Sequence, residues 1–520
     1  MPALVTSELR APATGPVGGV LGDVLRRAVR SSPDDLLLST PASGERWTAA
    51  ELLTDAEAVA AGLLARHTPG DRIATCLGNG PAAVLLQLGV ALAGMTLVPV
   101  NPRSRPAEVE HALRLSGAVL ALAAEEVAGN PVADLCAAVD GVDVVRVGAD
   151  WRAALPWAAP GELPEVAPQS LAQVQFTSGT TGRAKGVRIT HAGMVATGTA
   201  FAERLGPTAG RVWCNPMPLF HTAGNVLGVV GALAARAEHV VLPFAPGAVL
   251  RAVEDRRVSM LSAAPTLLDL LADHPDLPGT DLTALRVLFT GGMTVTPAFV
   301  DRVEQVFGAR LSITFGMTET CGAVLQTSPD DPDPVRRETV GAPLSGTDVR
   351  IAGPDGAAVP PGTPGELWVR GARITRGYLD DPVATAEAID AEGWLHTGDL
   401  AEMTEDGACR VVGRLKDMIK TGGENVSPVE VEEVLVAHPD VARAAVVGVP
   451  DPRWGELVVA FVVPAGDRDP DPAELTAHCR DRLSPFKVPR SWRVVDELPM
   501  TASAKVQRAE LRRMAAAEVR

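Results

Sequence analysis

Helix-period and strand-period hydrophobic runs alternate through most of the chain. Helical spacing of apolar positions extends from Trp47 to Arg66, from Gly80 to Ala93 and from Pro106 to Ser116. Between these runs lie the strand-like segments DRIATCL (71–77) and MTLVPVN (95–101), and similar segments return at 212–218, 239–243, 258–265 and 285–292. Strands that alternate with helices predict an α/β fold with mixed, mostly parallel sheets and flanking helices. Around 340–412 the pattern changes to short strands and Gly/Pro turns, as in GPDGAAVPPGTPGELWVRG (353–371), which predicts a small β-subdomain. From Lys416 a separate α/β unit begins, with the helix PVEVEEVLVAHP followed by the strands ARAAVVGVP and LVVAFVVPAG. The expected division is a large N-terminal domain, 1–415, and a smaller C-terminal domain, 416–520. The longest apolar stretch, Ala82 to Val98, is interrupted by Gln87, Gly89 and Gly94. It reads as a buried helix and a strand, because a membrane span needs about 20 cleaner residues.

Composition narrows the classes of function. With 46% hydrophobic and 21% charged residues over 520 positions, the chain is globular, not disordered or fibrous. A net charge of −16 argues against nucleic-acid or anionic-membrane partners. The six cysteines (Cys76, Cys136, Cys214, Cys321, Cys409 and Cys479) show no CxxC spacing. Free thiols in a reducing cytoplasm are expected, and the opening MPALVTSELR lacks a signal-peptide pattern. Only five of the 47 basic residues are Lys: Lys185, Lys416, Lys420, Lys487 and Lys505. The planar fork of Arg cannot replace a compact ammonium, so each Lys marks a position worth inspecting. All five fall in the motifs that follow.

The strongest motif is QFTSGTTGRAKGVRITH (175–191). An apolar strand enters Thr177, Ser178, Gly179, Thr180, Thr181 and Gly182, and Lys185 follows. Hydroxyls, unobstructed backbone N–H groups and one ammonium are the donors that phosphate oxygens require. The string does not match GxxxxGK[ST], since Ala184 precedes Lys185 and Gly186 follows it. A bare Thr/Gly-rich hairpin is the rival reading of this loop taken alone.

The same string resembles the phosphate loop of the adenylate-forming superfamily, the AMP-dependent synthetases and ligases that include acyl- and aryl-CoA synthetases. The resemblance continues in family order through TGGM (290–293), FGMTE (315–319), GELWVRG (365–371), WLHTGD (394–399), GRLKDMIKTGGENVSP (413–428) and PMTASAKVQR (499–508). It implies that Asp399 and Arg414 bind the ribose of ATP. Gly291, Gly292 and Met293 face the adenine, and Phe315, where the family usually has Tyr, stacks on it beside Gly316. Thr318 and Glu319 serve the phosphate end, with Glu319 as the Mg²⁺ ligand. Lys505 holds the substrate carboxylate against the α-phosphate; Ala504 stands before it where the family usually has Gly. Lys416 is the implied hinge of a mobile C-terminal domain, Gly422 and Gly423 line a pantetheine tunnel, and Trp454 packs on the thiol arm. Phe486 and Lys487 are placed for a nucleotide base and a phosphate, with an ordinary surface Trp and Phe as the rival reading. His221, in MPLFHTAG, resembles the aromatic gate of the acid pocket. Matched pocket positions Thr222, Ala263, Ala264, Thr314, Gly316, Cys321 and Gly322 are mostly small and none is charged, so the acid should carry no second charge. Cys321 and the single tyrosine, Tyr378, read as structural.

The function implied is an ATP-dependent acid–thiol ligase. It activates a small aryl or medium-chain carboxylic acid as acyl-AMP with release of pyrophosphate, then transfers the acyl group to CoA. Transfer to the phosphopantetheine of a carrier protein, or to another nucleophile, is the alternative. A non-catalytic nucleotide-binding protein is a rival of another class, opposed by the retained Lys185, Glu319, Asp399 and Lys505. A homodimer is compatible with this reading.

Overall fold

Val, Leu, Ile and Ala fill the strand segments and place two parallel-rich sheets in the larger part of the chain. A computed structural model describes residues 4–11, 19–177, 184–206, 210–466, 468–500 and 506–517. One sheet has six strands in the order Asp143–Val147, Leu120–Ala124, Arg72–Cys76, Thr96–Pro99, Leu171–Phe176, Gly186–Thr190. All neighbours are parallel except the last pair, which is antiparallel and flanks the predicted phosphate loop. The other sheet has nine strands, and those from Arg310–Phe315 through Val287–Gly291, Met260–Ser262, Val212–Asn215 and Glu238–Val241 to Leu36–Thr40 are parallel. Helix Pro81–Leu92, Gln87 included, is buried on nearly all sides, as its mostly apolar composition predicts.

The expected helix from Trp47 begins later. Trp47 belongs to strand Glu45–Thr48, and Thr48 caps helix Ala49–Leu64 through a reciprocal pair with Glu51. The Glu51 N–H donates to Thr48 Oγ1 at 3.3 Å, and the Thr48 N–H donates to the Glu51 carboxylate at 2.8 Å. Such a capping box satisfies two helix-end donors and fixes the boundary more tightly than periodicity can.

The chain divides into two compact units: residues 9–349 with 369–396, and residues 1–8 and 350–368 with 397–520. In the smaller unit the long antiparallel pair Val441–Asp451 and Gly455–Pro464 is the centre of a sheet. Strand Ile419–Thr421, itself paired with Glu424–Val426, joins Gly455–Pro464 at Gly455, and Ser491–Val494 pairs in parallel with the same strand from Val459 to Val462. Helix Arg508–Ala517 is tied down by charge. Arg508 donates to both oxygens of Glu432, at 2.5 and 3.0 Å, and Arg512 donates to Asp417 at 3.0 Å. Among the described residues, no helix is long and apolar enough to cross a membrane.

Candidate active site

In the larger unit the neck of the predicted phosphate loop is closed by its own backbone. The Thr177 N–H donates to the Lys185 carbonyl at 3.0 Å, and the Lys185 N–H donates to Thr177 Oγ1 at 3.3 Å. His111 Nε2 meets the Ala184 carbonyl at 2.8 Å. Ser178, Gly179, Thr180, Thr181 and Gly182 lie outside the described residues, as do Ala504 and Lys505.

Glu319 is buried in the short 3-10 turn Thr318–Thr320, which follows strand Arg310–Phe315. Its Oε1 accepts a hydrogen bond from the Tyr378 hydroxyl at 2.8 Å. The Lys185 ammonium sits over the same tyrosine ring, 4.6 Å from the centroid. Burial and the adjacent Glu319 charge push the phenol well above its usual range, so Tyr378 stays a donor at neutral pH. The sequence reading of Tyr378 as structural did not foresee that it touches both Glu319 and Lys185; its status as the only tyrosine was the available signal. Phe315 and Gly316 are half-buried, and Gly316 is required by close approach: a Cβ there would lie 2.4 Å from the Gly322 carbonyl oxygen. Gly291 ends the parallel strand Val287–Gly291, with Gly292 and Met293 just beyond it.

His221 follows a loop held from two sides. Asn79 Nδ2 donates to the carbonyls of Pro216 and Met217, its Oδ1 accepts from the Leu219 N–H, and Gln175 Nε2 donates to the Phe220 carbonyl at 2.8 Å. The Ala223 N–H donates to His221 Nδ1 at 3.3 Å, so the neutral ring carries its proton on Nε2. The next segment, Ala223–Val230, is a π-helix, a widened form that is rare and concentrates at functional sites. Thr222 Oγ1 is buried with no hydrogen-bond partner. Cys321 is a core thiol, pushed up to about 12 by burial, and its Sγ donates to the Arg373 carbonyl.

In the smaller unit Asp399 and Arg414 are direct cross-strand partners. Arg414 Nε donates to Asp399 Oδ1 at 2.8 Å. Lys416 is exposed in the 3-10 turn Leu415–Asp417. Gly422 and Gly423 form a two-residue hairpin loop with φ of +61° and +87°, the left-handed pair such a turn demands. The Gly422 N–H donates to the Trp454 carbonyl at 2.8 Å, and the Trp454 ring carries the Arg490 guanidinium 3.9 Å from its centroid. Phe486 packs on the core of this unit, and Lys487 is engaged by both oxygens of Glu430, at 2.6 and 2.8 Å. Each unit thus gathers a subset: Lys185, Tyr378 and Glu319 in one, Asp399 with Arg414 and Gly422 with Trp454 in the other.

The fold is that of the adenylate-forming enzymes. Residues 25–379 match the family model described as AMP-binding enzyme, residues 430–505 match that of the AMP-binding enzyme C-terminal domain, and the chain belongs to this family. It is 38% identical over 497 residues to a feruloyl-CoA synthase of an Amycolatopsis species, covering 90% of this chain and 94% of that protein. The crystal structure of ATP-bound MatB from Rhodopseudomonas palustris superposes with a TM-score of 0.86 at 28% identity, over 95% of this chain and 98% of MatB. The amide bond synthetase McbA from Marinactinospora thermotolerans superposes with a TM-score of 0.85 at 33% identity, over 95% and 99%.

Proposed function

We propose that the chain is an AMP-forming acid–CoA ligase acting on an aryl or medium-chain carboxylic acid that has no second charge. One observation carries the reading: in a chain that matches both AMP-binding family models, Lys185 and a buried Glu319 converge on one side chain. The substrate carboxylate attacks the α-phosphate of ATP, giving acyl-AMP and pyrophosphate. The CoA thiol then attacks the acyl carbonyl and loses its proton, and AMP leaves. Two steps are needed because a free carboxylate is a poor acyl donor and AMP is a good leaving group.

Asp399 and Arg414 take the ribose, Phe315 and the Gly291–Gly292–Met293 turn take the adenine, and Lys185 with the Thr/Gly loop takes the phosphates. Lys505 neutralises charge on the α-phosphate and the incoming carboxylate as the transition state forms. Glu319 and Thr318 suit Mg²⁺, which keeps several waters and binds through one or two carboxylates plus phosphate oxygens. When bound, the ion supplies charge neutralisation at the phosphates. His221, with Nδ1 occupied, gates the acid side. Lys416 is the hinge between domains 1–415 and 416–520, and its motion exchanges Lys505 for Gly422, Gly423 and Trp454, which receive the pantetheine arm. Phe486 serves the nucleotide end of CoA, with Lys487 released from Glu430 for its phosphate. Six buried free thiols support a cytoplasmic setting.

The similarity to a feruloyl-CoA synthase supports an aryl acid and CoA, and it does not favour a carrier-protein thiol. The similarity to McbA supports a second reading, in which an amine takes the acyl group and an amide forms. Exchange of labelled pyrophosphate into ATP across a panel of acids tests the first half-reaction. Mass analysis of products with CoA or an amine present decides the second. Absence of exchange with every aryl and medium-chain acid would remove the proposal.

A further inference from the structure

Tyr378 lies on a short strap, residues 375–379, that is hydrogen-bonded in two directions. The Thr375 N–H donates to the Glu319 carbonyl at 2.8 Å. The Leu379 N–H donates to the Gly186 carbonyl at 2.8 Å, and the Arg188 N–H donates to the Gly377 carbonyl at 3.0 Å. Tyr378 is thereby bridged to Val187, two residues beyond Lys185. Its own N–H is held by Thr385 Oγ1 at 2.9 Å. The side chain repeats what the backbone does: its hydroxyl donates to Glu319 Oε1, and its ring face carries the Lys185 ammonium. The three residues are far apart in sequence, and one phenol sets the spacing between the carboxylate and the cation.

We infer that Tyr378 is a positioning residue for ATP binding, which orients the Glu319 carboxylate through its hydroxyl and seats the Lys185 ammonium on its ring. The hydroxyl occupies Oε1 and so holds the carboxylate in one orientation. The ring attracts the ammonium through its quadrupole without neutralising it, so Lys185 keeps its full charge for a phosphate. A carboxylate in place of the ring would hold Lys185 more tightly and cancel that charge. The inference rests on the proposed role of Glu319 and Lys185 at the phosphate end.

Two substitutions separate the functions. Tyr378→Phe keeps the ring and removes the hydroxyl; Tyr378→Leu removes both. In pyrophosphate exchange with an acid that the wild type accepts, Tyr378→Phe should raise the Mg²⁺ concentration for half-maximal rate about 10-fold, the scale of one lost hydrogen bond to a charged group. At saturating Mg²⁺ its rate should stay within about 3-fold of wild type. Tyr378→Leu should also raise the KM for ATP by a further factor of about 3–10, the scale of a lost cation–π contact. A second readout needs no turnover. Because Tyr378 is the only tyrosine, ε-¹³C-tyrosine labelling gives a signal from this ring alone. Lys185→Met and Glu319→Gln should each shift that signal in the nucleotide-free protein, and Mn²⁺ with ATP should broaden it in wild type and much less in Glu319→Gln. Mn²⁺ titration in the presence of ATP should show weaker binding to Tyr378→Phe than to wild type. Wild-type Mg²⁺ dependence and Mn²⁺ affinity in Tyr378→Phe would overturn the inference, as would a tyrosine signal indifferent to both neighbouring substitutions. If no acid drives exchange in the wild type, the ligase reading fails, and the labelled-tyrosine and Mn²⁺ measurements still decide the role of Tyr378.

Discussion

Arg414 Nε donates to Asp399 Oδ1 at 2.8 Å, and the two residues face each other directly across an antiparallel pair. The Asp399 side chain is only 4% exposed and that of Arg414 is 42% exposed, so the pair presents a buried carboxylate beside a reachable cation. The carboxylate is further fixed from its backbone. The Asp399 N–H donates to Thr397 Oγ1, Thr397 Oγ1 donates to the Leu367 carbonyl, and the Gly398 N–H donates to Glu366. Replacing Asp399 by Ala should weaken ATP use with every acid and also destabilise the fold, because it leaves Arg414 without this partner. Arg414→Ala should raise the KM for ATP about 10-fold, the loss of one charge-assisted hydrogen bond. Neither change should reorder the preference among acids, since both residues are assigned to ribose. Kinetics with three acids of different size check this, and a changed order would show that the pair touches the acid.

Lys505→Ala should remove most adenylate formation and leave thioester formation from supplied acyl-adenylate largely intact. Loss of one electrostatic contact in the transition state corresponds to about 10²–10³ in rate. Single-turnover assays of the two half-reactions provide the comparison, and equal losses in both would contradict a role confined to the first.

Lys416→Pro should trap one orientation, because proline fixes φ near −65° and removes an N–H at the assigned hinge. We expect acyl-adenylate and pyrophosphate to form at a substantial rate while thioester formation falls about 10²-fold, a barrier increase of about 2.7 kcal/mol. Rapid quench resolves the two steps. A wild-type rate of thioester formation would place the hinge elsewhere.

Two histidines set an acid limit on stability. Burial lowers His239 to about 3 and His191 to about 4, from an ordinary value near 6.5. Both folded-state values lie below the unfolded one, so the unfolded chain takes up protons first as pH falls. Their contribution is complete above about pH 6.5 and declines through the interval down to the folded values, with a slope approaching about 1.4 kcal/mol per pH unit for each. Denaturant unfolding at a series of pH values measures that slope, and His239→Gln should reduce it between about pH 6.5 and 5. An unchanged slope would mean that His239 is not buried neutral.

Local periodicity carried the parallel strands and most helix positions into view, because strand and helix spacing is written within a few residues. The start of the helix after Trp47 was not visible that way, since a capping box at Thr48 and Glu51 overrides the apolar pattern. The π-helix after His221 also escaped notice; its widened hydrogen bonding has no simple apolar period of its own. Family-like motifs supplied Glu319, Lys185, Asp399 and Arg414 as candidates. They did not supply Tyr378 as their companion, because its contact with Glu319 spans 59 positions and depends on the strap that folds back onto strand Gly186–Thr190. The pairing of Lys487 with Glu430, 57 residues away, was equally invisible in the sequence.

The ties on helix Arg508–Ala517 have a kinetic consequence. Arg508 stands three residues after Lys505 and is clamped to Glu432, and Arg512 is clamped to Asp417, the neighbour of Lys416. The helix is therefore tied to its own unit at two points, Glu432 and Asp417. Amides held behind both ties should exchange with solvent slowly, and Asp417→Ala should speed exchange in the part of the helix around Arg512.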